Sequence, residues 1–308
     1  MLVSVSRRTD IPAFYAPWFM NRVREGYCLV GSPFDARRYS RVSLAPRDAE
    51  LFVFWTKNPM PLMPYLDELD ARGCAYYFTY TLTPYGGDVE PGIPEEAARL
   101  DAFARLSRRL GPERVDWRYD PILLDGAHPP AWHEEQFGRL LSHLAPLTTR
   151  CIISFADPYR HLGGRVVPTP PEDMRALAAA FARAAAPYGL PLFTCGEQTD
   201  LSALGIGHAA CVDPQKAARI LGCPVDAPRD KGQRLACGCA GSVDIGAYST
   251  CPGGCAYCYA THSRALALRR YRAHDPALPA LSGPLPPDAR VTDRAMPRVR
   301  LAQTSLPL

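Results

Sequence analysis

Residues Ser249–Tyr259 read STCPGGCAYCY and place three cysteines, Cys251, Cys255 and Cys258, in a C-x3-C-x2-C array. Three thiols this close on a glycine-containing loop cannot all pair with one another as disulfides. Thiolates favour soft metal centres such as zinc and iron–sulfur clusters. Zinc sites usually combine two separated pairs of ligands, which this stretch alone does not offer. The array therefore predicts a soft metal centre, either an iron–sulfur site or a structural metal knuckle.

The spacing, with Tyr257 directly before the last cysteine, resembles the signature of the radical S-adenosylmethionine (radical SAM) superfamily. The resemblance implies that Cys251, Cys255 and Cys258 hold three irons of a [4Fe-4S] cluster, and that the fourth iron binds S-adenosylmethionine. It also places Tyr257 among the cofactor-binding residues. In that family, reductive cleavage of the cofactor gives methionine and a 5′-deoxyadenosyl radical that abstracts hydrogen from the substrate. A low-potential electron donor such as flavodoxin or ferredoxin is the implied protein partner.

The position of the array is unusual, because in most radical SAM enzymes it follows the first strand of a barrel. Here a strand pattern at Ser242–Tyr248 precedes the cysteines, and a helical pattern at Ala260–Arg272 follows them. A circular permutation that moves the first strand–loop–helix unit to the C-terminal end would explain this order. Chain termini often lie close together, so such a permutation is physically tolerable.

The preceding sequence alternates strand and helix patterns. Strands are predicted at 2–6, 51–55, 75–81, 115–119, 151–155 and 190–194, and helices at 15–25, 94–110, 133–144 and 172–186. Repeated βαβ units require a parallel sheet. We therefore expect an α/β fold: a full or partial (β/α) barrel of parallel strands, of the circularly permuted radical SAM type. The Arg-rich segment 31–47 is expected to be a polar connection.

Polar residues follow several predicted strands, at the end of a parallel barrel that carries the chemistry. The first strand is followed by Ser6, Arg8, Thr9 and Asp10, which we predict to be cofactor-binding; an N-cap with solvated arginines is the alternative. Lys57, Asp120 and Tyr85 follow later strands. The strand ends also resemble, loosely, the spore photoproduct lyase family, which implies that Lys57 contacts the S-adenosylmethionine carboxylate. Asp120 and Tyr85 are predicted catalytic residues, and salt-bridged strand caps are the alternative.

A second set of cysteines, Cys195, Cys211, Cys237 and Cys239, lies on loops between the last predicted helices and the final strand. Four thiols suit an all-cysteine [4Fe-4S] cluster, a four-thiolate zinc site or a group of ordinary buried thiols. We predict a second [4Fe-4S] cluster. The cysteine layout also resembles that of an uncharacterised bacterial family, and this likeness supports treating the four as one set. The other cysteines, at 28, 74, 151 and 223, are expected to be core residues.

Composition limits the domain organisation, the location and the type of protein that the sequence can encode. The 308 residues suit one barrel-sized domain, and 47% hydrophobic residues suffice for a large core. We predict a barrel at 1–272, including the auxiliary cysteine region 195–239, and a Pro/Arg-rich tail at 273–308 that packs on the barrel or extends from it. No apolar run is long enough for a membrane span, and the N-terminus has no signal pattern, which predicts a cytoplasmic protein without a membrane partner. The 11 cysteines are many for a cytoplasmic chain, where disulfides are rare, and this favours metal binding.

The sequence therefore predicts a radical SAM enzyme with an auxiliary cluster. Its substrate is open: a nucleic acid, a peptide or a small molecule. One rival is a non-catalytic Fe-S or zinc protein that binds nucleic acid, although the net charge of +4 is small and dispersed. A zinc-dependent hydrolase is a third possibility, weakened because no histidine pair has the spacing of a metal site.

Overall fold

The computed structural model describes residues 1–301, and it contains a parallel sheet covered by helices. The strands are β1 (Leu2–Val5), β2 (Tyr27–Gly31), β3 (Arg38–Ser43), β4 (Leu51–Thr56), β5 (Tyr76–Thr81), β6 (Val115–Ile122), β7 (Cys151–Phe155), β8 (Leu192–Thr194), β9 (Gly207–His208), β10 (Ser242–Asp244) and β11 (Arg290–Asp293). The helices are α1 (Ile11–Phe14), α2 (Ala16–Glu25), α3 (Leu66–Ala71), α4 (Glu96–Leu110), α5 (Pro130–Leu144), α6 (Pro171–Ala185), α7 (Pro214–Leu221) and α8 (Arg264–Arg272).

The large sheet has eight strands in the order β10-β1-β4-β5-β6-β7-β8-β9, and all of its pairs are parallel. The predicted α/β fold with a parallel sheet is therefore confirmed. The sheet corresponds to a partial barrel, since within residues 1–301 its edge strands β10 and β9 pair with one neighbour each. The strand that leads into the three cysteines lies next to the N-terminal strand, with Leu2 opposite Ser242.

Alternation along the strands separates two buried faces. On β6, Trp117 stacks on Phe137 of α5 at 5.2 Å, and Tyr119 packs on Phe181 of α6 at 5.4 Å. This outer face forms the main hydrophobic core with the helices. On the inner face, apolar side chains such as Val53 pack against the segment 209–240 instead. The auxiliary cysteine region therefore fills the concave side of the sheet.

A smaller sheet corrects the prediction for residues 31–47. The segment was expected to be a polar connection, but it contains β3, which pairs antiparallel with β2 and parallel with β11. Tyr39 and Val42 of β3 are buried, while Arg38 and Arg41 are exposed. The two buried residues are three positions apart and do not follow the period of two that indicates a strand.

The described part of the C-terminal tail packs on the barrel. The Trp18 indole donates to the carbonyl of Leu278 at 2.9 Å, and the backbone N–H of Val299 donates to the buried Glu50 carboxylate at 2.6 Å. Residues 302–308 of the predicted tail lie outside the described residues. None of the helices within 1–301 combines the length and the apolar composition that a membrane crossing requires.

Candidate metal centres and the barrel mouth

The loop with the first three cysteines lies on the C-terminal edge of the large sheet. Its backbone is bound by the loop that follows β5: Gly92 N–H donates to Gly253 C=O at 2.9 Å, and Ala256 N–H donates to Val89 C=O at 2.9 Å. A Cβ at Gly92 would lie 2.7 Å from the Gly253 oxygen, so glycine is required for this close approach. His161, from the loop after β7, completes the attachment, with Nε2 2.8 Å from the carbonyl oxygen of Cys258.

The polar residues that follow β1 also contact β10 and the cysteine loop. The Ser6 hydroxyl donates to Asp244 at the end of β10 at 2.7 Å, and Thr9 contacts the Thr250 hydroxyl at 2.7 Å. Asp10 caps α1 through the N–H of Ala13 at 3.0 Å and also accepts the N–H of Lys57 at 2.7 Å. Burial raises the pKa of the Asp10 carboxyl to about 6.

Arg8 lies at the rim, with its guanidinium 5.1 Å from the centre of the Tyr248 ring and 4.0 Å from the Asp244 carboxylate. Its cofactor-binding role, like those of Ser6, Thr9 and Asp10, stays a prediction. Ser6, Arg8 and Thr9 contact β10 or the loop that follows it. Asp10 instead connects α1 to the residue that follows β4.

A buried carboxylate connects the cysteine loop to Lys57. Glu90 is 1% exposed and accepts hydrogen bonds from Lys57 Nζ and the Thr83 hydroxyl, both at 2.8 Å, and from the hydroxyl of Tyr257. The Lys57 ammonium also lies 5.6 Å from the centre of the Tyr257 ring. An ammonium has three donors. Lys57 uses one on Glu90 and a longer one, at 3.4 Å, on Thr83, which leaves a donor for a ligand.

The three thiols of this loop are partly buried and lie next to one another. Cys258 N–H donates to the carbonyl of Cys255 at 3.1 Å, and burial raises the pKa of the Cys251 thiol to about 12. A metal centre bound here must therefore displace protons. The residue types and their placement fit a cluster, in which each thiolate binds a different iron.

The second set of cysteines converges on the concave face of the sheet. Cys195 follows β8 and Cys211 follows β9, and their sulfur atoms lie 3.2 Å apart. The sulfur of Cys239 accepts the N–H of Cys211 at 3.2 Å. Cys237 is also buried, and a hydrogen bond with Cys239 raises the pKa of its thiol. The four residues, separated in sequence, thus form one group.

Arg118 supplies positive charge to this group. Its Nη1 donates to the Cys211 sulfur at 2.6 Å, and its Nη2 pairs with the predicted catalytic residue Asp120. A hydrogen bond from Cys211, together with the Arg118 charge, lowers the pKa of Cys195 to about 7 although burial raises it. The charge of Arg118 favours the thiolate forms of Cys195 and Cys211. By residue type, the donor set of four thiols fits an iron–sulfur or a zinc site.

A buried ion network holds Cys211 in place. Asp116 is fully buried and pairs with Arg150 at 2.7 Å and Lys216 at 2.6 Å, and Arg150 pairs with the α7 cap Asp213 at 2.7 Å. The Tyr77 hydroxyl accepts the N–H of Asp213 and donates to the carbonyl of Cys211 at 2.5 Å. Residues of β5 and β6, the residue before β7 and the cap of α7 therefore hold the backbone of Cys211.

Asp120 and Tyr85 do not lie together. Asp120 belongs with the second cysteine set through Arg118, whereas Tyr85 is fully buried beside Tyr257, with ring centres 6.0 Å apart. The Tyr85 hydroxyl donates to the carbonyl of Pro121 and accepts the N–H of Leu123, so two backbone groups occupy it. The catalytic assignment of both residues stays a prediction.

Within residues 1–301, no group of three or more Cys, His, Asp or Glu side chains is already arranged around the position of a single metal ion. A site for one metal ion would need all of its ligands to point at a single position, and no such arrangement is formed within residues 1–301. Thiolates of a cluster bind separate irons and need not meet at a point.

Comparison with protein families places this chain. Residues 2–260 match the family described as "Domain of unknown function (DUF1848)". The chain belongs to the DUF1848 family. No curated protein matches it. Among solved structures, this DUF1848 chain is similar to a putative alpha-L-fucosidase from Bacteroides thetaiotaomicron at 11% identity, over 74% of this chain and 84% of that one. The TM-score is 0.27, too low to support any inference about the DUF1848 chain.

Sequence reasoning missed Glu90, Asp244 and Arg118 in the DUF1848 chain. Arg118 had a signal, since Asp116, Arg118 and Asp120 occupy alternate positions on one strand and therefore share a face. Glu90 had none, because it lies in the long loop after β5 and meets Tyr257 only through the fold. Asp244 was hidden within the predicted strand 242–248, which ends at residue 244.

Proposed function

We propose that this DUF1848 protein is a circularly permuted radical SAM enzyme that binds one [4Fe-4S] cluster through Cys251, Cys255 and Cys258. We further propose a second [4Fe-4S] cluster on Cys195, Cys211, Cys237 and Cys239. The first cluster, when bound, supplies one electron for the cleavage of S-adenosylmethionine, which leads to hydrogen abstraction from the substrate. The proposal covers the reaction type and not the identity of the substrate.

One observation carries the proposal: the cysteine loop follows edge strand β10 and is bound against the loops after β1, β5 and β7. These loops share the C-terminal edge of a parallel sheet, the edge at which parallel α/β folds bind ligands. The position of β10 beside β1 is also the position that a circular permutation requires.

The chain's own residues would orient the cofactor. Lys57 keeps a donor for a carboxylate, and Glu90 holds its Nζ in position at 2.8 Å. Glu90 also accepts the hydroxyl of Tyr257 on the cysteine loop. The partly buried loop limits access of water to the thiols. On the concave face, Arg118 offsets the negative charge of the second thiol set.

The test is anaerobic reconstitution of the full chain with iron and sulfide. We expect a brown protein with about two clusters per chain, and conversion of S-adenosylmethionine to 5′-deoxyadenosine after addition of dithionite. Cys255→Ala should abolish this cleavage and remove one cluster's iron, whereas Cys223→Ala, a partly buried thiol outside both sets, should change neither. Colourless protein with stoichiometric zinc would refute the proposal and support a zinc protein.

A further inference from the structure

Five aromatic rings form a continuous surface at the barrel mouth. They come from the loops after β7 and β10, the same loops that hold the first cysteine set. The rings of His161 and His262 lie 4.5 Å apart, and those of Tyr159 and Tyr259 lie 5.7 Å apart. This surface, called here the aromatic rim, consists of Tyr159, His161, Tyr248, Tyr259 and His262.

The aromatic rim is open to solvent. Tyr248 and Tyr259 are each 38% exposed, and His262 is also exposed. Three polar tips have local partners. Tyr259 donates to a backbone carbonyl at 2.5 Å, His161 contacts the carbonyl of Cys258, and the Tyr159 hydroxyl donates to Asp157 at 3.2 Å. These bonds orient the rings but do not cover them. Contiguous exposed apolar surface of this kind marks a binding site more often than chance.

Two guanidinium groups lie over the rim. That of Arg8 is 5.1 Å from the Tyr248 ring centre, and that of Arg234, which also pairs with Asp157 at 2.5 Å, is 6.0 Å from the Tyr159 ring centre. Aromatic rings interleaved with arginines bind unpaired nucleobases by stacking and the phosphates between them by charge.

Two buried donors between the rim and Arg118, the cation of the second cysteine set, lack an acceptor. Arg7 Nη2 and Trp55 Nε1 are shielded from solvent and make no hydrogen bond within residues 1–301, and the Arg7 guanidinium lies 5.3 Å from the Trp55 ring centre. Arg7 is connected to the rim directly, through the hydroxyl of Tyr259. Buried donors without partners are rare, so a ligand that presents acceptor atoms is expected at this depth.

We propose that the substrate is a single-stranded nucleic acid whose bases stack on the aromatic rim, and that the acceptor edge of one base reaches Arg7 and Trp55. This inference rests on the proposed function, for which it names the substrate class. A duplex is disfavoured because its bases already stack on one another and are not available to the rim.

The experiment measures fluorescence anisotropy of 5′-fluorescein-labelled single-stranded DNA and RNA of one mixed sequence, titrated with the reconstituted full chain. Variants are the double change Tyr248→Leu and His262→Ala, and the single change Tyr248→Phe. Loss of stacking typically weakens binding by about 5- to 150-fold per base, so the double variant should bind at least about 5-fold more weakly. Tyr248→Phe retains the ring and should retain the affinity.

The matched control is Tyr188→Leu, an exposed tyrosine in the turn between α6 and β8 at the opposite edge of the sheet. It should bind as the unmodified chain does. Binding to either single strand with this pattern, and at least about 10-fold weaker binding to the duplex, supports the proposal. Absence of binding, equal affinity for the duplex, an equal loss in Tyr188→Leu, or displacement of the oligonucleotide by a tryptic peptide digest would overturn it.

The assay separates the two proposals because binding needs no turnover. Cleavage of S-adenosylmethionine by a chain that binds no oligonucleotide refutes the substrate class alone. Specific binding by a chain that never cleaves S-adenosylmethionine refutes the reaction type alone.

Discussion

Removal of the Glu90 carboxylate should be among the most costly single changes in this protein. Glu90 is 1% exposed and pairs with Lys57 at 2.8 Å and Arg99 at 3.5 Å, side chains that are themselves 13% and 2% exposed. In Glu90→Ala both cations lose their buried counter-charge, and Tyr257 loses its acceptor. Breaking a buried ion pair from one side costs about 3–5 kcal/mol, so we expect a loss of about 4 kcal/mol in the free energy of unfolding.

The assay is urea unfolding of the metal-free chain under reducing conditions. Glu96→Ala is the matched control, since Glu96 begins α4 and pairs with Arg139 at the surface, where the two side chains are 24% and 40% exposed. An exposed pair contributes at most about 1 kcal/mol. A double variant, Glu90→Leu with Lys57→Met, should recover part of the loss because it also removes one buried charge.

The outcome bears on the cysteine loop as well. Because Glu90 and Val89 hold Tyr257 and Ala256, Glu90→Ala should also lower iron retention by reconstituted protein. If Glu90→Ala and Glu96→Ala lose the same small amount of stability, the ion pairs of Glu90 with Lys57 and Arg99 do not stabilise the fold.

Three further predictions follow from other groups. Burial lowers the pKa of His133 to about 4, below the ordinary value of 6.5. The unfolded chain therefore binds this proton more readily than the folded chain does. The free energy of unfolding is unaffected above about pH 6.5 and falls by up to about 3 kcal/mol as the pH drops toward 4. His133→Gln should flatten this dependence in urea unfolding at pH 7 and pH 4.5, and an unchanged slope would contradict the assignment. Trp55→Phe removes a buried N–H without an acceptor, so the melting temperature of the free chain should stay the same or rise; a fall of several degrees would mean that the N–H is satisfied. Cys237→Ala should lower total iron while sparing S-adenosylmethionine cleavage at the first set, and equal loss of both would argue against two separate sites.

The parallel sheet was predictable because its strands are short apolar runs bounded by turns, and the helices between them show clear periodicity. The smaller sheet was not, because β11 pairs with β3 across about two hundred and fifty residues and is exposed along its length. A strand without a buried face has no pattern to detect.

The candidate site also has parts that the sequence predicted and parts that it did not. Cys251, Cys255 and Cys258 are local in sequence, so their spacing was informative. The convergence of Cys195 with Cys211 depends on the pairing of β8 and β9, which sequence alone does not specify. Glu90 shows the limit most clearly, because its partners come from three different loops.

The order of strands has a consequence for biosynthesis. Translation produces β1 some two hundred and forty residues before its neighbour β10. Until then one side of β1 has unpaired backbone groups, which is the kind of exposed edge that recruits other chains. A ribosome that stalls before residue 242 would therefore release a product with an open edge on β1 and without Cys251, Cys255 and Cys258.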